Sequence, residues 1–460
     1  QQGGGREHQV RRAVVALCFM AVCCSVSRAE TVDLDQAVAR ALNHDPRIEE
    51  VGHLVDAARA LVDEAKGHDD WSVNMNAFLG LAPSVNGGLF ENGTCTSDNC
   101  NLRSDEFDIN GLSPWINITL SIVKPLYTFG KIEDYTEAAR ANVIVKQGDV
   151  RLRRGETILE VKRAYYGFLA AHDSRLLLED VKRRVDGSVE MVQRWLDEGN
   201  GNVRQSDLFA LQTGSALIGR YLAEAITTEQ VALDGLKVLT GAGLSSDLMV
   251  ADKAIVPVPL PQMDLAALQQ QAMEHRPEMA QVEAGLRARR SLVEANKAGG
   301  RPNLYAGVAS ILSYASNRTK LDNPLIYDPF NTFGLTPLVG IKWDWTGDVQ
   351  SAQIEKAEAE LNALISKSAV AREGIPFQVA EQYHQVLGNH DAVTQLADAS
   401  RAARRWMIAS FADFEAGMQT GDKVVTAFQG YVLAYSDYLK TVFVYNMHVA
   451  QLLNVTGVDE

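Results

Sequence analysis

The stretch SPWINITLSIVKPLYTFGK (113–131) contains a short segment with two different faces, followed by turn residues. Four aliphatic side chains alternate with three polar ones from Ile116 to Ile122. This period of two is typical of a β-strand with one apolar and one polar face. Pro125 and Gly130 come next, and a long pattern of helical spacing follows them. We therefore predict that these two residues form a joint at which a strand passes into a helix.

The composition argues against several classes of function. The chain has 460 residues with 44 Lys and Arg against 58 Asp and Glu, which gives a formal charge of −14. Nucleic-acid-binding proteins carry a basic surface, so we expect no nucleic-acid partner. The sequence has no P-loop, G-x-S-x-G, H-E-x-x-H or C-x-x-C motif. We therefore predict that the protein is not an enzyme and needs no cofactor or metal.

The N-terminal region has the pattern of an export signal. Two arginines precede an apolar run at 13–26, and small residues follow it. This pattern predicts a secretory signal peptide at 1–29, because the apolar run is too short to span a bilayer. Lipidation at Cys23 or Cys24 is an alternative that the sequence leaves open. The true N-terminus is also open, since the first residue is Gln1.

Two cysteines remain in the exported part of the chain. Cys95 and Cys100 lie in ENGTCTSDNC, a segment rich in turn-forming residues. Disulfides persist in oxidising compartments, and no third metal ligand is nearby. We therefore predict a small disulfide loop between these two residues.

The sequence contains an internal repeat. The segment LDQAVARALNHDPRI (34–48) shares Leu, His and Pro at matching positions with LAALQQQAMEHRPEM (265–279). The helix ends LKVLTG (236–241) and LLNVTG (452–457) match as well. In each half the pattern is a helix, two strands, a long helix and a returning helix. Duplication of one structural unit is the simplest interpretation.

The pattern also sets the expected boundaries. The two repeats occupy 30–245 and 264–460, and a proline-rich linker at 246–263 joins them. The first repeat is predicted to have helices at 34–67, 131–198 and 203–239, with strands at about 71–81 and 115–124. The second is predicted to have helices at 264–298, 348–416 and 422–455, with strands at about 303–314 and 335–345. Gly347 is expected to mark the second strand-to-helix joint, and Pro376 a break or bend in the long helix.

The number of strands has a geometric consequence. Each predicted strand has about the length needed to cross a bilayer when tilted. Backbone groups in lipid must all be paired, so spanning strands form closed barrels, and the smallest have about eight strands. One chain provides only four strands. We therefore predict that several copies of the chain combine.

The order of elements resembles that of the TolC-like outer membrane efflux proteins. The resemblance is carried by the export signal, the duplicated order, the joint sequence KPLYTFGK and the aspartates beside the helical turns. It implies a mainly α fold with a small β part. Long antiparallel coiled-coil helices would form an α-barrel, continued by a 12-stranded transmembrane β-barrel of a homotrimer with four strands per chain.

The same resemblance implies a function. It is that of an outer membrane channel, the passive exit duct of a tripartite efflux or type I secretion system. The expected location is the outer membrane of a Gram-negative-type bacterium, in contact with its lipid and extending into the periplasm. The expected partners are a periplasmic adaptor (membrane fusion) protein and an inner-membrane pump, whose identities and cargo stay open. The alternative is an exported periplasmic coiled-coil adaptor or scaffold that never enters a membrane.

The resemblance also points to residues at the periplasmic tips. Asp422 and Asp207 lie at the starts of the two returning helices, where acidic residues close the channel in family members. Arg204 and Lys423 lie beside them and are candidates for contacts with a partner. The place of a second acidic residue is taken here by Val425. The alternative for both aspartates is a simple capping role, in which the carboxylate accepts from free backbone N–H groups.

Overall fold

The computed structural model describes residues 30–84, 97–98, 100, 111–199, 203–318, 327–344 and 346–458. The predicted signal peptide at 1–29, with Cys23 and Cys24, lies outside these residues. Cys95 and residue 345, at the end of the last predicted strand, lie outside them as well.

Helices make up most of the described chain. The strands are β1 (Glu30–Val32), β2 (Ser72–Pro83), β3 (Leu112–Tyr127), β4 (Leu248–Val250), β5 (Asn303–Ala315) and β6 (Thr332–Lys342). The helices are α1 (Leu34–His44), α2 (Pro46–Gly67), α3 (Lys131–Asp197), α4 (Gln205–Leu239), α5 (Leu265–His275), α6 (Pro277–Gly299), α7 (Gly347–Glu415) and α8 (Gly421–Val455). The order of helix, two strands, long helix and returning helix occurs twice, so the predicted duplicated fold class is confirmed.

The compact units of the structure do not coincide with the two sequence repeats. One unit contains the described parts of Gln1–Gly52, Asp149–Met279 and Ala371–Glu460, and the other those of His53–Gly148 and Ala280–Val370. Each unit therefore draws on both repeats. Segments of the two repeats pack against each other in each unit: β3 pairs with β5 in the sheet, and α4 and α8 share a buried apolar cluster.

The second unit contains a four-stranded antiparallel sheet in the order β2-β3-β5-β6. Its central pair joins the repeats, because β3 comes from the first and β5 from the second. In this pair Ile118 lies opposite Leu312, and Ile122 lies opposite Val308. Apolar side chains thus continue across the repeat boundary on one face of the sheet.

The last strand differs from its predicted bounds of 335–345. Strand β6 begins at Thr332 and ends at Lys342. Lys342 pairs with Asn303, the first residue of β5, so the ladder ends where its partner begins. Trp343 lies beyond the strand, and its indole N–H donates to the Gly300 carbonyl at 3.1 Å.

Prolines divide the two helices that were predicted as continuous at 34–67 and 264–298. The chain is extended at Asp45 (φ −66°, ψ 110°) and at Arg276 (φ −61°, ψ 130°). Each of these residues precedes a proline, which disfavours the α conformation in the residue before it. Helix α7, in contrast, continues through Pro376, where the sequence predicted a break or bend.

An ionic network fixes the break between α1 and α2. The buried Asp45 carboxylate accepts from the Arg47 guanidinium at 2.8 Å and from the Thr157 hydroxyl of α3 at 2.7 Å. Arg47 also donates to Glu160 at 2.6 Å. The Arg47 contact holds the pKa of Asp45 well below its usual range, against the opposing effect of burial. The network therefore attaches this break to the long helix α3.

Acid should weaken this attachment. The pKa of Asp45 is lower in the folded protein than in the unfolded chain, so its ionised form stabilises the fold above about pH 4, and that contribution is lost as pH falls further. When the pH is lowered from 7 to 3, we expect the Asp45→Asn variant to lose less thermal stability than the wild type. The matched control is Asp70→Asn at an exposed carboxylate. Equal acid sensitivity of Asp45→Asn and the wild type would contradict the prediction.

The predicted linker at 246–263 is an ordered part of the first unit. Strand β4 pairs in parallel with β1, which the sequence analysis did not predict. Further along, the Ile255 N–H donates to Asp173 of α3 at 2.8 Å. The buried Asn446 of α8 accepts from the Val258 N–H and donates to the Val256 carbonyl, each at 2.9 Å. Buried polar side chains of two helices therefore hold the linker in place.

No helix in the described part of the chain has an apolar stretch long enough to cross a membrane.

Candidate functional site

Four helix ends meet around an apolar cluster in the first unit. The cluster is formed by buried residues of α3, α4, α7 and α8, among them Val192, Leu211, Phe414 and Phe428. Trp195 packs near Phe414, with ring centroids 5.9 Å apart. These side chains recur at spacings of three and four residues, which places them on one face of each helix. We call this end of the four helices the tip.

The turn from α7 to α8 has a defined geometry. Gly417 has a φ of 72°, a left-handed conformation that a side chain would disfavour. Its N–H donates to the Phe414 carbonyl, and the Met418 N–H donates to that of Asp413. These two bonds satisfy the end of α7 as in a Schellman motif. Gly199 has a similar φ of 71° at the end of α3, so both turns begin in the same way.

Asp207 joins the two repeats at the tip. It is buried, and its two carboxylate oxygens accept from different helices. One accepts from the Arg204 N–H at 2.9 Å, and the other from the Gly421 N–H, the first residue of α8, at 3.0 Å. Asp207 therefore caps both returning helices. These contacts favour a positioning role over the gate role predicted for Asp207 from the sequence.

The same two helix starts approach each other closely. A Cβ atom added to Gly421 would lie 2.8 Å from the Asp207 Cβ and 3.1 Å from its Cα. One turn further on, Val425 packs against α4, since a Cβ on Gly214 would lie 3.3 Å from a Val425 methyl. Val425, which takes the place of a second acidic residue, is thus part of the helix contact.

Asp422 has different surroundings from Asp207. Its side chain is exposed beside the start of α8. A hydrogen bond from the Thr420 side chain, together with nearby N–H groups and Lys423, holds the pKa of Asp422 below its usual range. Arg204 and Lys423 are exposed as well, so the tip presents an ionised carboxylate and two cations to its surroundings.

Gly130 and Gly347 were predicted to mark the two strand-to-helix joints, and only Gly130 has an unusual backbone conformation. Strand β3 includes Pro125 and has an irregular register between Pro125 and Tyr127. Phe129 and Gly130 then take left-handed conformations (φ 55° and 87°) directly before α3. Gly347, the other predicted joint residue, is simply the first residue of α7, and a Cβ there would meet open space.

One face of the four-stranded sheet is apolar and exposed. Leu79, opposite Ile116 in the ladder, has 85% of its surface exposed. The other large exposed side chains on this face are Val73, Met75, Leu81, Leu112, Leu312, Tyr314, Phe333, Leu335, Val339 and Ile341. The opposite face carries mostly small and polar residues such as Asn76, Thr119 and Thr336, together with the larger Phe78, Trp115, Ile311 and Leu338. An apolar patch of this kind marks a surface that meets lipid or another protein.

The two edges of the sheet are also open. Among the described residues, β2 pairs only with β3, and β6 pairs only with β5. Unpaired edge strands of this length are ready to pair with another chain. In the described part of the chain, the outer edges of β2 and β6 therefore have unpaired backbone groups.

Two further predictions concern cysteines and metals. Cys100 is disulfide-bonded, while Cys95 lies outside the described residues. Within the described ranges, no group of three or more His, Cys, Asp or Glu residues is arranged to hold a metal ion.

Comparison with known proteins finds similarity in part of the sequence and in the fold as a whole. Residues 37–207, less than half of the chain, match the family described as outer membrane efflux protein. The CmeC outer membrane channel of Campylobacter jejuni has a similar structure, with a TM-score of 0.74 over 93% of this chain and 86% of that one, at 13% identity. The MtrE outer membrane channel of Neisseria gonorrhoeae gives a TM-score of 0.71 over 95% and 94%, at 15% identity.

A relative is found by sequence as well. The alkaline protease secretion protein AprF of Pseudomonas aeruginosa is 28% identical over 202 residues. The match covers 43% of this chain and 41% of that protein. The resemblance to TolC-like outer membrane efflux proteins predicted from the sequence is confirmed, and the fold is the one these channels share.

Proposed function

We propose that the protein is an outer membrane exit duct of a tripartite efflux or type I secretion system. Three copies would pool their four strands into one closed barrel of 12 strands in the outer membrane. Conduction would be passive, with energy supplied by an inner-membrane pump that is connected through a periplasmic adaptor. The relative AprF is named for secretion and the matched family is named for efflux, so either type of cargo fits.

The sheet carries this proposal. A soluble protein rarely exposes a large continuous apolar patch, and this one lies on a sheet with two open edges. Closing the edges with further copies satisfies the backbone groups, and lipid covers the apolar face. The periplasmic adaptor or scaffold, the alternative predicted from the sequence, offers no use for such a face.

The test combines fractionation with conductance. Mature protein produced in a Gram-negative host should appear in the outer membrane as an oligomer that dissociates on heating in detergent. Purified in detergent and added to planar bilayers, it should give discrete channel currents. Recovery as a soluble monomer from the periplasm would instead favour the adaptor or scaffold function.

The exposed Asp422 should influence which ions pass. Copies of this carboxylate around a shared axis would attract cations, because it is ionised at neutral pH. We expect Asp422→Asn to lower the cation-over-anion permeability ratio by roughly twofold or more. The ratio follows from the reversal potential in a salt gradient.

A matched variant separates this local effect from net charge. Asp437→Asn removes the same charge from an exposed position of α8 away from its start. It should leave the permeability ratio unchanged. Equal ratios in the wild type and Asp422→Asn would reduce Asp422 to a capping residue.

A further inference from the structure

One end of the sheet is built differently from the other. At one end the strands connect to helices. At the other end β2 connects to β3, between Pro83 and Leu112, and β5 connects to β6, between Ala315 and Thr332. We call the latter the hairpin end. Under the proposed function it faces the outside of the cell, since the other end leads into the helices.

The polar face is covered at the hairpin end. Asn117, Ser113 and Ser313 are buried there, although they lie on the face opposite to Ile116 and Leu312. Toward the other end of the same face, Asn74 and Asn76 are exposed. Part of the chain must therefore lie over the polar face where the hairpins are.

The segment before β6 provides this cover. Phe330 packs edge-on against Trp115 of the polar face, with ring centroids 5.5 Å apart. The Trp115 indole N–H donates to the Ser313 hydroxyl at 2.7 Å, and that hydroxyl donates to the Pro329 carbonyl at 2.6 Å. Residues 329–330 thus lie against the polar face at the hairpin end.

A buried ion pair holds the segment in this position. Asp328 and Arg318 have side chains that are 2% and 9% exposed, and they bond at 3.1 Å. The Arg318 guanidinium also donates to the Pro83 carbonyl at 3.0 Å and lies 4.8 Å above the Phe330 ring. Asp328 in turn accepts from the Phe330 N–H at 3.1 Å. Removing either partner would leave a buried charge, so the arrangement is fixed.

We propose that Phe330 forms an outer constriction of the duct, held in place by the Arg318–Asp328 pair. The proposal rests on the proposed function, in which the polar face of the sheet lines the lumen. A barrel of eight strands is filled by side chains, whereas 16 to 18 strands leave an aqueous channel, so about 12 strands leave a lumen that one layer of inward chain can narrow. Three Phe330 rings, one from each copy, would limit which solutes leave.

Conductance of the full-length mature protein in planar bilayers tests this constriction. Phe330→Ala should raise the single-channel conductance by about 1.5-fold or more, because it widens a narrow part of the path. The matched control is Phe333→Ala, three residues along the chain but on the apolar face and 73% exposed. It should leave the conductance unchanged.

A second measurement adds bulk instead of removing it. Phe330→Cys, treated with a bulky thiol reagent from the outer side, should lose half of its current or more, while Phe333→Cys and the wild type should not. A change at residue 330 in either measurement, with none at 333, supports the constriction. Insensitivity of residue 330 in both measurements overturns it but leaves the duct intact. If the wild-type protein gives no current at all, the proposed function as an exit duct is wrong.

Discussion

Replacing Leu79 with arginine is expected to prevent most of the protein from assembling in the outer membrane. Leu79 is the most exposed large apolar side chain of β2, close to the middle of the strand. An arginine on the lipid face near the bilayer centre costs about 2–4 kcal/mol. Three copies in one barrel would each bear this cost. The measurement is the fraction of heat-dissociable oligomer in the outer membrane.

The control is Asn76→Arg, which places the same charge in the same strand on the polar face. Residues 76 and 79 are equally far from the centre of β2, so depth in the membrane is matched. We expect Asn76→Arg to assemble nearly as well as the wild type, since its side chain would face water in the lumen. If Leu79→Arg assembles equally well, the apolar face does not meet lipid, and the proposed function is wrong.

Replacing Gly421 with alanine is expected to loosen the tip. The added methyl group would lie 2.8 Å from the Asp207 Cβ, and the Asp207 backbone behind it cannot rotate away. Overpacking of this kind costs about 1–3 kcal/mol. The two helix starts must separate, which weakens the bond from the Gly421 N–H to Asp207. We expect a lower temperature of thermal unfolding. Because the tip lies at the periplasmic end of the proposed duct, we also expect a changed conductance.

Gly388→Ala is the control for the change from glycine to alanine. Gly388 lies inside α7, and a Cβ there would meet open space within its own chain. Alanine in a helix interior is favoured over glycine by about 0.5–1 kcal/mol, so this variant should be as stable as the wild type or more so. A Gly421→Ala protein with unchanged thermal unfolding and conductance would show that the contact with Asp207 adapts without cost.

The sequence located the two aspartates of the candidate site but did not show what each of them does. The positions of Asp207 and Asp422 follow from the repeated turn pattern. Their different roles do not, because the pattern is the same for both. Asp207 faces the other repeat and accepts from the Gly421 N–H, whereas Asp422 is exposed. Only the packing of α4 against α8 gives the two residues different roles.

The constriction residues were not found from the sequence at all. Arg318 and Asp328 are ten residues apart in a polar connection, where charged residues are usually solvated. Nothing in their spacing indicates that both side chains are buried or that Phe330 covers Trp115. The strand pair β1 and β4 was missed for a similar reason, since three residues are too few to establish a period of two.

Period and length determined the long helices and the four longer strands of this protein. Alternation with a period of two defined the faces of the strands, and spacings of three and four defined the long helices, because both patterns arise from local backbone geometry. The tertiary structure decided which segments meet: β3 with β5, Asp207 with Gly421, and Arg318 with Asp328. These contacts join residues that are distant in the chain, and long-range packing selects them without leaving a local pattern.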